Sequence, residues 1–358
     1  MQNDGARRIP ECRHSGKNVF LVFLRLHCRL HDTGILFGVS LILPIVFGPD
    51  GLLWSFPAAG LLTFIIAIFF IRQTYLELKN DLVFPTGSDI IGKKGGGHMV
   101  WFWGILGILA ILLTGSYFCA QAAFRVPKNL EKYLYKLPNT PQYSPYAKQV
   151  REMIDKALAI PYEDVWTTSQ DGLRLHGKFY PAADPKAPVQ ILCHGYQSIA
   201  EKDFCGGLPM ANGCAVLMID QRAHGKSDGK YLTFGVKERL DCLCWIDFIR
   251  GKCGPDVKIL LYGMSMGAAT VLMAAGEDLP ENVVGIAADC GYSSPRAIIR
   301  KVLKDRHMSL ALYPLVRLGA ILFAHFDPDS VGADTALERC RIPVLLVHGD
   351  DDRFVPCD

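Results

Sequence analysis

Ser265 is the residue whose surroundings point most clearly to chemistry. It stands in the sequence Gly-Met-Ser-Met-Gly, between an apolar run of strand length (258–262) and a helix-length segment that continues to residue 276. Gly263 and Gly267 permit a sharp strand-to-helix turn in which neighbouring backbone comes close. A serine at such a turn projects from the sheet at a helix N-terminus, whose amides favour negative charge. We predict that Ser265 is a nucleophile; the alternative is a serine that only caps the helix.

Three further groups of polar residues also follow apolar runs of strand length. They are HGYQS at 194–198, DQRAHGKSDG at 220–229 and HGDDDRFVP at 348–356. The runs before them are continuously apolar, which indicates a parallel sheet covered by helices on both faces. The segment 164–180 carries a hairpin signal ahead of these runs. Ligands of such sheets bind beyond the carboxyl ends of the strands, so we expect these groups to lie on one edge with Ser265.

These four motifs, in this order over residues 160–358, resemble the α/β-hydrolase superfamily, in its branch of serine aminopeptidases and prolyl-oligopeptidase-like enzymes. The resemblance implies an α/β-hydrolase fold with a mostly parallel sheet, helices on both faces and a small helical lid at about 293–330. It implies a catalytic pair of Ser265 and Asp352, in which the carboxylate orients a histidine. The backbone N–H groups of Tyr196 and Met266 would form the oxyanion hole.

The resemblance gives other motif residues supporting roles. His194 and Gly195 would shape the oxyanion loop, although His194 as general base is an alternative. Asp220, Arg222 and His224 would hold their loop together by hydrogen bonds and a charge pair. The alternative for Asp220 and His224 is a metal site.

The apolar lid segment predicts a binding pocket. Its large side chains would line a site for an acyl chain or a hydrophobic side chain, unless they form the core of the lid itself. These residues are Leu310, Leu312, Leu315, Leu318 and Phe323.

No histidine follows Asp352 in the sequence. The resemblance implies a base on a loop after one more strand, with a closing helix behind it. We therefore expect a fold that lacks the last strand and helix, an exposed edge at 343–348, and a truncated chain that is inactive or nearly so. A base that has moved to the lid, at His307 or His325, is the alternative.

Uncharged apolar runs fill much of the first third of the chain. Gly51–Ile71 has 21 such residues and Met99–Phe124 has 26, and a membrane-spanning helix needs about 20. A shorter run, Gly34–Gly48, carries Pro44. We predict two or three transmembrane helices. The predicted organisation is a basic segment at 1–33, membrane helices at about 34–48, 51–71 and 99–124, a linker with an amphipathic helix at 125–160, and the hydrolase domain at 161–358.

The Lys and Arg residues of segments 1–34 and 72–98 favour the cytoplasmic side for both segments, which predicts an extracytoplasmic hydrolase domain at the cell membrane. Basic residues after residue 124 favour the opposite orientation. Residues 33–75 resemble the last helix of multidrug and toxin extrusion transporters, which leaves a fusion of a transporter tail with a hydrolase fragment as one alternative. An ordinary membrane hairpin is the other reading of this segment.

Composition excludes several functions. The net charge is only +3 and no basic stripe is present, so nucleic acid is not an expected partner. The 12 cysteines form no CxxC pair, so we expect buried thiols, no metal and no cofactor. The sequence thus predicts a membrane-anchored serine hydrolase that cleaves a small ester, thioester or peptide-like substrate. The alternative is a non-catalytic pseudohydrolase that uses the same pocket for binding.

Overall fold

The computed structural model describes residues 96–127, 144–207 and 213–357, together with positions 72, 134, 135 and 137. The chain divides into two compact units, Met1–Ile108 and Leu109–Asp358. The predicted helices at 34–48 and 51–71, and all but position 72 of the segment that resembles a transporter, lie outside the described residues.

Seven strands of the second unit form one sheet in the order β1-β2-β4-β3-β5-β6-β7. β1 and β2 form the predicted hairpin, β2 pairs antiparallel with β4, and every later pair is parallel. This is the α/β-hydrolase fold expected from the sequence. The strands are β1 Glu163–Thr168, β2 Arg174–Tyr180, β3 Val189–Cys193, β4 Ala215–Ile219, β5 Ile259–Met264, β6 Val283–Asp289 and β7 Val344–Val347.

Helices cover both faces of the sheet. In β4, Val216 and Met218 face a core that contains Ile154 of α2, whereas Leu217 faces the larger core with Trp245 of α4. All five residues of β4 are buried, which explains its unbroken apolar sequence. The helices are α1 Gly96–Phe124, α2 Ala147–Leu158, α3 Ala200–Asp203, α4 Glu238–Cys253, α5 Met266–Ala274, α6 Pro295–Asp305, α7 Tyr313–Gly319 and α8 Ala333–Leu337.

The strand boundaries differ slightly from the sequence prediction. β5 begins at Ile259 and continues to Met264, so the strand reaches the residue before Ser265, and α5 begins at Met266 directly after it. The last strand, β7, exposes Leu345 and Leu346 to 62% each. The predicted exposed apolar strand at 343–348 is therefore confirmed.

The helices between β6 and β7 form the lid region, and they pack against the end of α1. α7 continues into one turn of π-helix, Ala320–Ala324. A Cβ on Gly319 would lie 2.2 Å from the carbonyl oxygen of Ser116, so only glycine permits this close approach. The rings of Tyr117 and Phe323 meet edge to face at 5.2 Å between centroids.

Within the second unit, α1 changes character along its length. Leu109, Leu112 and Leu113 are exposed, whereas Ser116, Ala120 and Phe124 are fully buried against the domain. Among the described residues, Gly104–Phe124 is long and apolar enough to cross a membrane, with a mean hydropathy of 1.8. This statement rests on length and composition alone, and one face of the last turns packs against the domain through Ser116, Ala120 and Phe124.

Candidate active site

Ser265 occupies a strained turn between β5 and α5. Its backbone has φ 53° and ψ −113°, a conformation that is rare for a residue with a side chain. A hydrogen bond to the neighbouring strand holds the turn: the N–H of Ser265 donates to the carbonyl of Asp289, at the end of β6, over 2.8 Å. The Ser265 side chain makes no capping hydrogen bond to α5, so the alternative that it only caps the helix is wrong.

The two glycines of the motif are required by close packing. A Cβ on Gly263 would lie 2.1 Å from the carbonyl oxygen of Gly267, and a Cβ on Gly267 would lie 1.8 Å from the carbonyl oxygen of Cys193. The turn is thus pressed against the end of β3. Any side chain at either position would push Ser265 away from the residues that follow β3.

The predicted oxyanion loop lies against the nucleophile turn. A Cβ built on Gly195 would lie 3.5 Å from the Cβ of Ser265. The backbone N–H groups of Tyr196 and Met266 donate no hydrogen bond to any residue that the structure describes. Met266 is fully buried, and a buried N–H without a partner is rare. Neither predicted donor is thus occupied by another described residue, and their role as an oxyanion hole stays a prediction.

Three side chains hold the oxyanion loop in position. Asp203 accepts from the N–H of Gly195 at 2.7 Å and from the hydroxyl of Ser198 at 2.6 Å. Gln197 donates to the carbonyl of Arg125, and Tyr196 donates through its hydroxyl to the carbonyl of Ala123. Sequence reasoning missed Asp203 and the contact with the end of α1, since neither carries a motif.

His194 is held by backbone groups on both sides of its ring. Its Nδ1–H donates to the carbonyl of Gly195 at 2.9 Å, and its Nε2 accepts from the N–H of Gln221 at 3.2 Å. Both ring nitrogens are thus engaged with backbone, and the side chain is fully buried. This arrangement supports the predicted shaping role and excludes His194 as the general base.

Asp220 joins its loop to the hairpin of β1 and β2. Its carboxylate lies 2.7 Å from Nδ1 of His176, whose Nε2 lies 2.6 Å from Asp164, and it also accepts from the N–H of Lys226. Burial alone would raise the pKa of Asp220, but these hydrogen bonds outweigh it and leave the pKa below its ordinary value. Sequence reasoning did not find His176 as the partner.

Arg222 bridges two carboxylates that lie outside its own motif. It makes a bidentate contact with Asp241 of α4, at 2.6 and 2.7 Å, and a second with Asp171 of the hairpin turn, at 2.9 and 3.2 Å. The side chain of Arg222 is only 5% exposed and that of Asp241 only 3%. The charge pair predicted within the loop is therefore wrong: Arg222 pairs with Asp241 and Asp171, which lie outside the motif, and Asp220 pairs with His176.

His224 is buried beside His194, with their rings edge to face at 4.7 Å. Its Nδ1–H donates to the carbonyl of Arg222, and its Nε2 has no partner among the described residues. Burial, with the nearby His194, lowers the pKa of His224 to about 3. A neutral histidine that is shut in by packing does not support the metal alternative for Asp220 and His224.

Asp352 is held by the turn that follows β7. Its Oδ1 accepts from the N–H groups of Phe354 and Val355, both at 2.9 Å, and its Oδ2 lies 3.8 Å from Nε2 of His348. Asp350 and Asp351 are exposed. Backbone N–H groups of the turn thus hold Asp352, whereas Asp351 pairs with the exposed Arg353.

No described histidine donates to or accepts from the Ser265 hydroxyl. His348 donates through Nε2 to the carbonyl of Val355 at 2.7 Å, so that nitrogen is occupied. His307 and His325, the lid alternatives for the base, are exposed and both have left-handed backbone, with φ 55° and 57°. The described residues therefore bring together Ser265 and the oxyanion donors, without a base at the hydroxyl.

One group of three described residues could offer metal ligands. Cys290, His348 and Asp352 bring their ligand atoms within 4.8 Å of one another. Two of the ligands are already engaged in the hydrogen bonds given above, and burial raises the pKa of the Cys290 thiol to about 11. Cys290 lies far from His348 and Asp352 in the sequence, so the group formed no recognisable spacing.

The predicted lid pocket is arranged differently from the expectation. Leu315 faces Gly115 of α1, and Phe323 faces Tyr117, so these two residues are lid core. Leu310 and Leu318 line a surface groove on the lid.

An aromatic cluster lies beside the oxyanion loop instead. Phe234 stacks on Tyr196 at 5.5 Å and contacts Phe124, the last residue of α1, at 5.8 Å. Tyr292 completes the cluster at 6.3 Å from Phe234. This cluster gives the loop an apolar wall that was not predicted.

The comparisons with known proteins concern the family of the chain. Residues 183–318, which include Ser265 and the loops after β3 and β4, match the family model described as serine aminopeptidase, S33. The match supports membership of the α/β-hydrolase superfamily. It covers the nucleophile and oxyanion loops and ends before Asp352.

Curated relatives match part of the chain. The uncharacterized protein YqkD of Bacillus subtilis is 27% identical over 169 residues, which are 46% of this chain and 55% of that protein. A thiohydrolase of Aspergillus aculeatus, aneE, is 29% identical over 119 residues, 32% of this chain and 37% of that protein. The chain thus spans about half the length of YqkD and a smaller part of the thiohydrolase.

Among solved structures, the Pyrococcus furiosus esterase Pf2001 is similar, with 25% identity and a TM-score of 0.44 over 56% of this chain and 75% of that one. An acylaminoacyl peptidase of Pyrococcus horikoshii has 18% identity and a TM-score of 0.41 over 55% of this chain and 33% of that one.

Proposed function

We propose that the protein is a serine hydrolase that cleaves an ester, thioester or amide through an acyl-enzyme on Ser265. One observation carries the proposal. Ser265 is held at a strained turn beside two backbone N–H groups, of Tyr196 and Met266, that no described residue uses. Backbone strain of this kind costs free energy and persists where function requires it. A nucleophile next to two free donors is suited to acyl transfer.

The reaction follows from this geometry. The Ser265 hydroxyl attacks the substrate carbonyl, and the Tyr196 and Met266 amides stabilise the oxygen that becomes negative, at about 3–4 kcal/mol for each donor. A histidine oriented by Asp352 takes the serine proton and passes it to the leaving group. Water then releases the acyl group by the same steps. The proposal assigns the base to a histidine and names no residue for it.

We also propose that α1 attaches the protein to a membrane. Leu109, Leu112 and Leu113 of this helix are exposed apolar residues that no described part of the protein covers. Such a surface is unfavourable in water and favourable in a bilayer. The partners of the protein are then a lipid membrane and a small ester or peptide-like substrate.

A fluorophosphonate probe tests the reaction. In a protein that also supplies the histidine base, Ser265 should be labelled, as located by mass spectrometry, and Ser265→Ala should abolish labelling. The matched control is Ser309→Ala, which changes an exposed lid serine that caps a short helix. Labelling that is unchanged in Ser265→Ala would refute the nucleophile.

A non-catalytic binding protein is the second candidate. It is favoured by the lack of a described histidine at the Ser265 hydroxyl. A protein that is folded by circular dichroism but gives no labelling at Ser265 would support this candidate over the hydrolase.

Alkaline carbonate extraction tests the membrane attachment. We expect the expressed protein to stay with the membrane pellet, and a variant with Leu109, Leu112 and Leu113 all changed to Ser to move to the supernatant. Recovery of the unaltered protein in the supernatant would contradict the attachment and leave the proposal for Ser265 untouched.

A further inference from the structure

A groove of about 480 Å³ crosses the lid surface between α6 and α7. Three guanidinium groups line it, those of Arg296, Arg300 and Arg317, with Asp329 as its carboxylate. The groove is separate from Ser265 and from the aromatic cluster beside the oxyanion loop. Its lining therefore has a function that the proposed reaction does not explain.

The charges of the groove are not balanced within the protein. Arg317 lies 2.7 Å from Asp327 and 3.1 Å from Asp329, and Arg296 lies 3.6 Å from Asp329. Arg300 forms no ion pair with any residue that the structure describes; its guanidinium carbon lies 5.9 Å from the ring centre of Tyr313. The three arginines thus have only two carboxylate partners, Asp327 and Asp329, and the positive charge of Arg300 has no anionic partner among the described residues.

Apolar residues also line the groove. Leu310 is 40% exposed and Ile321 is 42% exposed, and Leu318 belongs to the lining as well. Leu322, next to Ile321, is exposed as well. A ligand that fits this lining has an anionic group at one end and an apolar chain at the other.

The groove also lies near the segment of α1 that is exposed. Leu315 and Gly319 of α7 pack on Gly115 and Ser116, directly after the exposed residues Leu112 and Leu113. α7 therefore meets α1 at the position where that helix leaves the domain. If α1 enters a bilayer there, the lid groove is at the level of the lipid headgroups.

We propose that this groove binds a phospholipid with an anionic headgroup. Arg300 and Arg296 contact the headgroup phosphate, and the first part of an acyl chain lies on Leu310 and Ile321. Guanidinium groups suit phosphate because their donors form a rigid fork. The inference goes beyond the reaction at Ser265, and it uses the proposed membrane attachment only as the source of the lipid.

Binding can be measured without a bilayer. The whole chain in a non-ionic detergent is titrated calorimetrically with dihexanoylphosphatidylglycerol, dihexanoylphosphatidylcholine and inorganic phosphate. We expect saturable binding of the anionic lipid, binding of the zwitterionic lipid at least about fivefold weaker, and no saturable binding of phosphate. Arg300→Gln should weaken binding of the anionic lipid about tenfold, since it removes one charge-assisted contact.

Lys304→Gln is the matched control, because it removes the same charge from an exposed position one turn further along α6, outside the groove. It should bind as the unaltered protein does. Ile321→Ser tests the apolar side and serves if Arg300→Gln fails to fold; it should weaken binding of the lipid.

Four results would each overturn the proposal. They are no saturable binding of the anionic lipid, phosphate binding as tight as lipid binding, equal losses in Arg300→Gln and Lys304→Gln, and full binding by both groove variants. The lipid titration requires neither labelling of Ser265 nor attachment to a membrane. A negative titration would therefore refute the lipid site and leave the proposed function to its own tests.

Discussion

The hydroxyl of Tyr196 donates a hydrogen bond to the backbone carbonyl of Ala123 over 3.2 Å. One partner carries a proposed oxyanion donor, and the other is the penultimate residue of the apolar helix α1. The neighbouring Gln197 makes a parallel contact with the carbonyl of Arg125. The C-terminal end of α1 thus helps to position the loop beside Ser265.

Tyr196→Phe should slow the reaction of Ser265 without unfolding the protein. The change removes the hydroxyl that reaches Ala123 and keeps the backbone N–H and the ring that stacks on Phe234. A hydrogen bond contributes about 1 kcal/mol net, so we expect the rate of fluorophosphonate labelling to fall about fivefold, with little change in melting temperature.

Tyr231→Phe is the control for that prediction. Its hydroxyl accepts from Gln121 of α1 at 2.6 Å, so the variant also loses one hydrogen bond to the helix, but not from the oxyanion loop. Equal rates for Tyr196→Phe and the unaltered protein, or an equal slowing by Tyr231→Phe, would argue against positioning through Tyr196.

Gly267→Ala should prevent the nucleophile turn from closing. The added Cβ would meet the carbonyl oxygen of Cys193 at 1.8 Å, and backbone cannot give way as a flexible side chain can. We expect a loss of more than about 3 kcal/mol in the free energy of unfolding, and no labelling of Ser265. Urea unfolding measures the loss.

Gly251→Ala is the comparison, because it should increase the free energy of unfolding instead of lowering it. Gly251 lies inside α4, and a Cβ there would meet nothing within 4 Å. Alanine is the better helix former, so this variant should gain about 0.5–1 kcal/mol. A Gly267→Ala protein that is as stable as the unaltered one would show that the turn is looser than the structure indicates.

The sequence predicted the elements that carry the site because each rests on a local signal. The continuous apolar runs before Ser265 and before Gly195 identify buried strands, and the glycines at their ends identify the turns. The order of motifs then gave the α/β-hydrolase fold. The exact ends of β5 and α5 needed the structure, since periodicity does not locate the residue at which a strained turn begins.

The residues that hold these loops could not be predicted in the same way. Asp203 supports Gly195 from the next helix, and His176 supports Asp220 from a hairpin about 40 residues earlier. A single sequence contains no signal for such contacts, because each depends on the tertiary arrangement of the sheet.

The lid residues divide between the two readings, since Leu310 and Leu318 line a groove whereas Leu315 and Phe323 pack on α1. An apolar pattern shows that a face is buried, but not against which partner.

His224 should make stability depend on pH. The unfolded chain binds a proton at this residue below about pH 6.5, whereas the folded protein, with a pKa of about 3, does not. The unfolded state thus binds more protons between these values, so stability falls as the pH falls. From pH 7 to pH 5, His224 alone should cost about 2 kcal/mol.

His224→Asn tests this dependence, since an amide can replace Nδ1–H as the donor to Arg222 and does not titrate. The difference in unfolding free energy between the two proteins should shift by about 2 kcal/mol in favour of the variant from pH 7 to pH 5. His307→Asn is the control: it is exposed, with φ 55°, which asparagine tolerates. A constant difference for His224→Asn would mean that His224 is protonated in the folded protein.

Arg222→Lys should destabilise the protein although the charge is kept. The guanidinium forms two bidentate contacts, and an ammonium group can satisfy only one carboxylate well. Asp241 is almost completely buried, so a weakened pair leaves its negative charge only partly neutralised, at a cost of about 3 kcal/mol.

Arg353→Lys is the control. Arg353 is 88% exposed and pairs with Asp351 at the surface, so this change should cost less than about 0.5 kcal/mol. Urea unfolding of both variants at pH 7 measures the contrast, and similar losses would show that the network around Arg222 adds nothing beyond an ordinary surface pair.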